Sequence, residues 1–310
     1  MTIRPPIRIA IIGYGKIART EHAPAIAAHP GFELVAVVSP GEVGDARVPV
    51  FPNLAAVLEA MPGGLDAVAI CTPPRVRRAI AAQAIDAGLA VLLEKPPATT
   101  LGELEGLIAL ARAAGTCLFA ASHSQYAPAV APTAALLEGE QLASLAIDWR
   151  EDVTKWHPGQ EWIWEPDGFG VFDTGVNALS IVTAILPERL ELEAAELVIP
   201  EGRQAPIAAC LRFAGRDRAA RFDWREQGEE AWSIRLTTRA GRSIAIEGGG
   251  ARLVVDGTAH PLGPFAEYAA IYARFARLVP AGSLAVDCEP MRLLADTALI
   301  ARRVTVAARA

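Results

Sequence analysis

Two short stretches of this chain carry side chains that could handle a hydroxyl group and its proton. Asp173 and Asn177 lie four residues apart, and at that spacing a helix presents both side chains on one face. Lys95 lies between Glu94 and Pro96, directly after an apolar run. A carboxylate or an amine can accept a proton, whereas a carboxamide can only hold a hydroxyl group in place near neutral pH.

Each stretch also has a purely structural interpretation. Asp173 could be a helix N-cap, because aspartate is favoured there and helix-forming residues follow. Lys95 could be a surface lysine before an ordinary pair of prolines that ends a strand. Against this, a cis Lys–Pro bond would fix a tight backbone path, and ligands of open α/β sheets bind where the strands end. Both interpretations stay open on these residues alone.

A glycine-rich turn, Gly13-Tyr14-Gly15-Lys16-Ile17-Ala18, follows the apolar run 7–12. Gly13 permits a tight turn, Gly15 lets phosphate groups approach the backbone, and the small Ala18 lets a helix pack close to its strand. A helix-like segment and a second strand at 32–39 follow where a dinucleotide site needs them. The turn therefore predicts dinucleotide binding in preference to a plain strand-to-helix connection.

Other predicted strands end in residues that could complete this cofactor site. Thr72 and Pro73 follow one strand and would wall the cofactor groove, and Glu94 and Lys95 end the next. Ser39 ends the second strand, where NAD enzymes usually place an acidic residue on the ribose hydroxyls.

The end of the second strand bears on the choice between NAD and NADP. Ser39 could bind either a hydroxyl or a phosphate group, Arg19 or Arg47 could bind a 2′-phosphate, and Glu42 and Asp45 could oppose it. We therefore expect use of both NAD and NADP, with a moderate preference for NADP.

Three of the chain's six tryptophans lie in one turn-rich segment, Trp156-His157-Pro158-Gly159-Gln160-Glu161-Trp162-Ile163-Trp164. Tryptophans are costly to expose, so we expect this segment to cover a core edge, a subunit contact or the apolar face of a sugar ring. His123 follows a predicted strand and is either structural or in contact with substrate. Glu151 and Asp152 end another predicted strand, and one of them could point into the cleft. The remaining histidines show no partner pattern and are interpreted as surface or packing residues: His22, His29 and His260.

The first part of the chain supplies a scaffold for these residues by alternating strands and helices. Strands that are apolar throughout, separated by amphipathic helices, indicate a parallel sheet covered on both faces. The sequence predicts strands at 8–12, 32–38, 66–71, 90–93 and 116–121, with helices at 54–60, 76–87 and 101–114.

Beyond Ser124, polar residues alternate with apolar ones, which indicates antiparallel strands with one covered face. Helices are predicted at 175–186, 267–278 and 290–308. The fold class is therefore α/β with two domains: a doubly wound, dinucleotide-binding Rossmann domain over residues 1–123, and an α+β domain with a mostly antiparallel sheet over 124–310. We assign substrate binding and oligomerisation to the second domain, whose last helix could pack back on the first.

Composition argues against several classes of protein. The 310 residues carry a net charge of −6, which disfavours nucleic acid and anionic membranes as partners. The sequence begins without the apolar core of a signal peptide, and no window matches the ~18–20 apolar residues of a membrane span. Phosphate-loop, zinc-protease and serine-hydrolase motifs are missing. No metal is expected, and the scattered cysteines are typical of a reduced, cytoplasmic protein: Cys71, Cys117, Cys210 and Cys288.

Together these motifs resemble the glucose-fructose oxidoreductase and inositol dehydrogenase family, Gfo/Idh/MocA. The glycine turn, Cys71-Thr72-Pro73-Pro74, Glu94-Lys95-Pro96 and the helix start at Asp173 occur in the family's order across both domains. Within that family, the tryptophan segment and the residues from Phe172 to Ser180 resemble bacterial aldose 1-dehydrogenases that act on L-arabinose or D-galactose. Many family members carry a histidine where this chain has Asn177.

The resemblance implies oxidation of an aldopyranose at C1 to the aldonolactone, with NAD or NADP and without a metal. It implies that Asp173 and Asn177 act at the reacting carbon with Lys95, and leaves open whether Asp173 or Lys95 removes the proton. The alternatives are a family member that oxidises inositol or another sugar position, and a non-catalytic NAD(P)-binding sensor. An exposed face of the second domain's sheet makes a homodimer or tetramer the expected assembly. The implied sugar contacts are Lys95, His123, Glu151 and His157, to which the tryptophan segment adds Trp156 and Trp164.

Overall fold

The structure, a computed structural model, describes residues 5–41, 43–44 and 46–307. The chain divides into two compact units. The first contains the residues up to His123 and the later segment Tyr268–Cys288, and the second contains Ser124–Glu267 and the residues from Glu289 onward. The division differs from the predicted one in that residues 268–288 belong to the first unit.

The N-terminal part alternates strands and helices as predicted. A π-helical turn, Ala18–His22, precedes the first α-helix. The elements are β1 (Ile7–Ile12), α1 (Ala23–Ala28), β2 (Phe32–Val38), β3 (Val50–Phe51), α2 (Leu54–Ala60), β4 (Ala67–Ile70), α3 (Pro74–Asp86), β5 (Ala90–Glu94), α4 (Leu101–Ala114) and β6 (Leu118–Ala121).

The rest of the chain is richer in strands. Short 3₁₀ turns at Glu161–Trp164 and Pro166–Gly168 break the tryptophan segment and the residues after it. The elements are α5 (Val130–Leu137), β7 (Leu142–Arg150), α6 (Val153–Trp156), α7 (Phe172–Ile185), β8 (Leu192–Pro200), β9 (Ala208–Phe213), β10 (Arg218–Asp223), β11 (Ala231–Thr238), β12 (Ser243–Glu247), β13 (Arg252–Val255), β14 (Thr258–His260), α8 (Glu267–Leu278), β15 (Leu284–Ala285), α9 (Glu289–Ile300) and β16 (Arg302–Val306).

The prediction of one helix over 290–308 is wrong at its C-terminal end. The helix α9 ends at Ile300, and the next residues form β16, which pairs in parallel with β8. Residues 302–306 include β-branched side chains, which favour a β-strand where a partner strand from elsewhere in the chain is available.

The first unit is built on a seven-stranded sheet in the order β15–β6–β5–β4–β1–β2–β3, and all neighbouring strands are parallel. Every residue of β4, β5 and β6 is buried. Since successive residues of a strand point to opposite faces, both faces are covered. The helix α8 belongs to this unit because Tyr272 and Phe275 are buried and pack on Phe32, while Phe275 also stacks on Phe119.

The second unit is built on a nine-stranded sheet in the order β14–β13–β12–β11–β7–β10–β9–β8–β16. Its pairs are antiparallel except β7–β10 and β8–β16. The helix α7 packs against this sheet, α5 and α9, and ten of its 14 residues are buried. Gly175 allows α7 to approach the sheet closely, because a Cβ at this position would lie only 3.0 Å from the ring of Phe222. Cys210, Arg212 and Arg235 are exposed, as expected for strands with one covered face.

One stretch among the described residues, Pro166–Ile185, is long and apolar enough to cross a membrane by length and composition alone. It contains α7, and 72% of its most apolar window is buried inside the protein. The core helix of a folded domain has these same properties.

Candidate functional site

The candidate residues of the first unit follow the carboxyl ends of neighbouring strands. Gly13 follows β1, Thr72 and Pro73 follow β4, Lys95 follows β5 and His123 follows β6. Because these strands are adjacent and parallel, the residues lie along one edge of the sheet, where open α/β folds bind their ligands.

The glycine turn fits a dinucleotide. Gly13 has a positive φ of 89°, and a Cβ there would lie 2.9 Å from the backbone N of Thr72, so the turn requires glycine. A Cβ on Gly15 would meet nothing within 4 Å, whereas Ala18 is fully buried. Lys16 and Ile17 are exposed beside that open space. The Oγ1 of Thr72 is buried with no hydrogen-bond partner among the described residues, so a bound group could satisfy it.

The end of β2 would meet the adenosine ribose in such a site. The backbone N–H of Ser39 donates to Phe51 O over 3.0 Å, and its Oγ accepts a 3.4 Å hydrogen bond from the N–H of Gly41. The Arg19 side chain donates to Tyr14 O over 3.2 Å and lies over the Tyr14 ring. Arg47 is exposed. The two predicted opposing acids, Glu42 and Asp45, lie outside the described residues.

The backbone around Lys95 is held by two buried side chains. The peptide bond between Lys95 and Pro96 is cis. Glu94 accepts a 2.8 Å hydrogen bond from the Lys95 N–H through Oε2. Arg77, on α3, donates to the carbonyl oxygens of Thr72, Glu94 and Pro96, and so joins the ends of β4 and β5. Glu94 is therefore a support for Lys95, with its carboxylate turned into the protein.

His22 lies under Glu94 and is fully buried, so it is a packing residue with a specific electrostatic role. Its Nε2 is 2.9 Å from Glu94 Oε1, and its Nδ1 is 2.7 Å from the Tyr272 hydroxyl. The Tyr268 hydroxyl donates to the same Glu94 oxygen over 2.6 Å, and the His123 ring stacks on Tyr268 at 5.9 Å. His123 thus belongs to this network through Tyr268.

The network shifts the pKa values of its members in opposite directions. Burial alone would raise the pKa of Glu94, but the hydrogen bond from His22 and the nearby His123 and Tyr268 lower it to about 2. Burial alone would lower the pKa of His22, but Cys71, Tyr272 and Glu94 raise it well above its ordinary value. The pair is therefore imidazolium and carboxylate at neutral pH.

We expect His22→Gln to lower the free energy of unfolding by about 3 kcal/mol at pH 7, because it leaves the buried Glu94 carboxylate without its cation. Glu94 has a lowered pKa, so its contribution is present above the ordinary pKa of 4.5 and is lost as the pH falls toward about 2. His22 has a raised pKa, so its contribution is present at acidic and neutral pH and is lost only as the pH rises through that raised value. Urea unfolding at several pH values measures both effects.

The control for this variant is His260→Gln, at an exposed position on β14. Equal stability of His22→Gln and the control at pH 7 would show that the pair contributes nothing to folding.

In the second unit, Asp173 and Asn177 both lie on α7, whose first residue is Phe172. The N-cap position is Val171, which makes no side-chain cap, so Asp173 is inside the first turn and is not the N-cap. Asp173 is buried and Asn177 is half-buried, and their spacing places them on one face of the helix.

His157 lies beside Asp173, with its Nε2 3.5 Å from Asp173 Oδ2. Its other ring nitrogen, Nδ1, is 3.4 Å from Gln160 Oε1. The ring also packs on Trp224, with centroids 5.3 Å apart. The tryptophan segment therefore places an imidazole next to the carboxylate of α7.

Glu151 is buried and accepts hydrogen bonds from two indole groups. Trp224 donates to Oε1 over 3.2 Å and Trp232 donates to Oε2 over 3.0 Å. Trp224 is also 3.0 Å from Thr174 Oγ1, next to Asp173. The neighbouring Asp152 caps α6 through the N–H of Thr154. The carboxylate of Glu151 thus orders Trp232 and Trp224, and Trp224 packs on His157.

The tryptophans of the segment have different surroundings. Trp156 is 38% exposed and donates to Glu230 over 2.6 Å. Trp164 packs edge-on against Trp224 at 5.7 Å and lies under the Arg203 guanidinium. Trp162 is 37% exposed. Trp164 therefore belongs to the cluster around His157, whereas Trp156 and Trp162 keep a third of their surface open.

Comparison with known proteins identifies the family of the chain. Residues 7–122 match the family described as "Oxidoreductase family, NAD-binding Rossmann fold", GFO_IDH_MocA. A galactose 1-dehydrogenase from Pseudomonas fluorescens is 44% identical over 306 residues, which are 98% of each chain. The chain belongs to the Gfo/Idh/MocA oxidoreductase family. Membership confirms the predicted Rossmann domain and the predicted class of enzyme.

Solved structures of family-like proteins extend the match to the whole fold. A D-galactose-1-dehydrogenase from Rhizobium etli has a TM-score of 0.93 with 44% identity, over 100% of both chains. A 3-ketoreductase from Actinomadura kijaniata, in complex with NADP and TDP-benzene, has a TM-score of 0.80 with 20% identity, over 97% of this chain and 99% of that one. The second likeness shows the fold alone.

Several residues of the candidate site and its supports have no local sequence signal. Trp224 and Trp232 lie on or beside strands far along the chain from Glu151. His22 and Tyr268 reach Glu94 from separate helical segments, and Tyr272 reaches His22. Arg77 is one of several arginines on α3 and differs from the others only in being buried. Their contacts arise from tertiary packing and cannot be predicted from the spacing of residues in the sequence.

Proposed function

We propose that the protein oxidises a free aldopyranose at C1 to the aldonolactone, with D-galactose, L-arabinose or a stereochemical relative as substrate. The observation that carries the proposal is the 44% identity to a galactose 1-dehydrogenase over 98% of both chains. The second unit supports it with the His157 imidazole beside Asp173 and Trp224, and with the Asn177 carboxamide on the same helix face as Asp173. Such a set suits a sugar ring, which is apolar on its face and polar at its edge.

The proposed roles follow from the chemistry of each side chain. Asp173 accepts the proton of the C1 hydroxyl, and Asn177 holds that hydroxyl in place. Lys95 donates hydrogen bonds to the substrate hydroxyls and favours their ionisation. When bound, the oxidised nicotinamide supplies the hydride acceptor. The proposed sugar contacts are His123, Glu151, Trp156, His157 and Trp164, with Glu151 acting through the tryptophans that it orders.

The glycine turn and the strand ends of the first unit are proposed to hold the cofactor. Gly13 and Gly15 leave the backbone open to the pyrophosphate, which would lie beside Lys16 and Ile17. Thr72 and Pro73 would line the groove, Glu94 would support Lys95 beside it, and Ser39 would face the ribose. No metal is part of the proposal.

We expect D-galactose to be oxidised with a kcat/KM about 10²-fold higher than D-glucose, its C4 epimer. A site that hydrogen-bonds a hydroxyl rejects a misplaced one strongly, whereas an additional exocyclic group needs only space. L-Arabinose, which shares the ring stereochemistry of galactose and lacks the hydroxymethyl group, should stay within about tenfold of galactose. The assay follows cofactor reduction with each sugar. Equal kcat/KM for glucose and galactose would contradict this assignment.

We expect the enzyme to use both cofactors, with NADP moderately preferred. Ser39 does not repel a 2′-phosphate, and no acidic side chain ends β2 to select the ribose hydroxyls of NAD. The measurement is kcat/KM for each cofactor at saturating galactose. A hundredfold preference for NAD would overturn this expectation and direct attention to Glu42 and Asp45.

Two further expectations concern the whole molecule and remain predictions. The exposed face of the nine-stranded sheet is proposed to meet a second copy of the chain in a dimer or tetramer. A cytoplasmic location is proposed from the reduced cysteines and the nature of the substrate.

A further inference from the structure

The contact between His157 and Asp173 has a consequence for how a proton is taken up. Both side chains are largely buried, with 13% and 9% of their surfaces exposed. Nε2 and Oδ2 are 3.5 Å apart, at the long end of the distances over which a hydrogen bond forms. A proton placed between the two atoms would therefore join them in a hydrogen bond.

Gln160 indicates which ring nitrogen of His157 carries the proton in the neutral form. Its Oε1 lies 3.4 Å from Nδ1, and an amide oxygen can only accept a hydrogen bond. The tautomer with a proton on Nδ1 satisfies that oxygen and leaves a lone pair on Nε2, toward Asp173. Nε2 and Oδ2, two atoms that can each accept a proton, then face each other across 3.5 Å.

We propose that Asp173 and His157 act together as the base, so that the proton of the sugar's C1 hydroxyl ends between Asp173 Oδ2 and His157 Nε2. The inference rests on the proposed function and adds a catalytic role for His157 to the sugar contact already assigned to it. The O–H bond of the C1 hydroxyl breaks as Asp173 Oδ2 accepts the proton, which is then shared with His157 Nε2. The C1–H bond would break with its electron pair going to the oxidised nicotinamide, which would be the oxidant, and the C1–O bond would become a carbonyl.

A pair of this kind suits catalysis near neutral pH better than a carboxylate alone. Carboxylic acids ordinarily have a pKa of about 4 and imidazolium a pKa of about 6.5, and a general base works best when its pKa lies near the working pH. Two groups that share one proton titrate as a unit. Asp173 then also orients the imidazole and stabilises its charged form, as the carboxylate does in a catalytic triad.

The other groups around the pair in the second unit are compatible with this role. The Trp224 ring packs on His157 and carries no charge. Glu151, a further carboxylate of this cluster, accepts hydrogen bonds from the N–H groups of Trp224 and Trp232. Gln160 is neutral, so Asp173 provides the charge that faces the imidazole directly in this cluster.

The test is the pH dependence of kcat for D-galactose at saturating cofactor, for the wild type, His157→Gln and the control His260→Gln. We expect His157→Gln to lower kcat about 10²-fold at pH 7 and to move the acidic limb of the profile down by at least one pH unit. The control should match the wild type. A His157→Gln variant that raises KM and leaves kcat and the acidic limb unchanged would overturn the proposal, since His157 would then only bind the sugar.

A second variant, Gln160→Glu, keeps the proposal testable if His157→Gln does not fold. A carboxylate beside the Nδ1–H should make the imidazole more basic and raise the acidic limb by roughly one pH unit. If the acidic limb of the pH profile is unchanged in this variant, the proposal that the two side chains share a proton is overturned. Failure of the wild type to oxidise any aldose would overturn the proposed function itself, a result distinct from an active wild type whose profile neither variant changes.

Discussion

Replacing Asp173 with asparagine is expected to lower kcat for D-galactose by about 10²- to 10⁴-fold, the usual contribution of a positioned general base. Asparagine keeps the size of the side chain and its place in the first turn of α7 but cannot accept a proton. Cofactor affinity should change little, because the glycine turn that is proposed to bind the cofactor lies in the other unit of the chain. Steady-state kinetics together with cofactor titration of the variant measure both quantities.

The matched control for Asp173→Asn is Asp86→Asn, which removes an exposed carboxylate at the end of α3. The control should keep wild-type turnover. If Asp173→Asn instead retained near-normal kcat and lost only thermal stability, Asp173 would be a structural residue of the helix start.

Lys95→Ala is expected to lower kcat by about 10²- to 10³-fold, as removal of a hydrogen-bond donor from a reacting oxygen does in other enzymes. Lys95→Arg should not restore turnover, because a guanidinium is larger and directs its donors differently from a compact ammonium group. The loop itself should survive both changes, since Glu94 and Arg77 hold it through backbone atoms. The measurements are the kcat and the melting temperature of the two variants, each compared with the wild type.

Arg78→Ala serves as the charge-matched control, since Arg78 is exposed on α3. Full recovery of kcat in Lys95→Arg would show that a positive charge is the whole requirement at this position and would contradict the proposed geometry of donation.

The scaffold of the site follows from local sequence patterns. The helices α2, α4 and α8 have the predicted bounds, because amphipathic spacing and caps such as Gly115 define them locally. The strand ends that carry Gly13, Thr72 and Lys95 were predictable for the same reason. The strand β16 was missed because only its pairing with β8, far earlier in the chain, distinguishes it from the end of a helix.

The sequence predicts which residue types belong to the candidate site, but it does not predict the contacts between them. The helical spacing predicts that Asp173 and Asn177 share one face, and the family resemblance implies His157 as a sugar contact. Their mutual placement depends on how the tryptophan segment folds through two 3₁₀ turns and packs on Trp224. Similarly, no spacing in the sequence connects His22 with Glu94, because their contact arises from the packing of a parallel sheet and its helices.

The transfer of deuterium from C1-deuterated D-galactose to the cofactor tests the central claim most directly. Purified protein is incubated with the labelled sugar and oxidised NADP or NAD, and the reduced cofactor is analysed by mass spectrometry. Oxidation at C1 predicts one deuterium per reduced cofactor and a galactonolactone as product. Reduced cofactor without deuterium, with the label retained in a ketosugar, would contradict the account by placing the oxidation at another carbon.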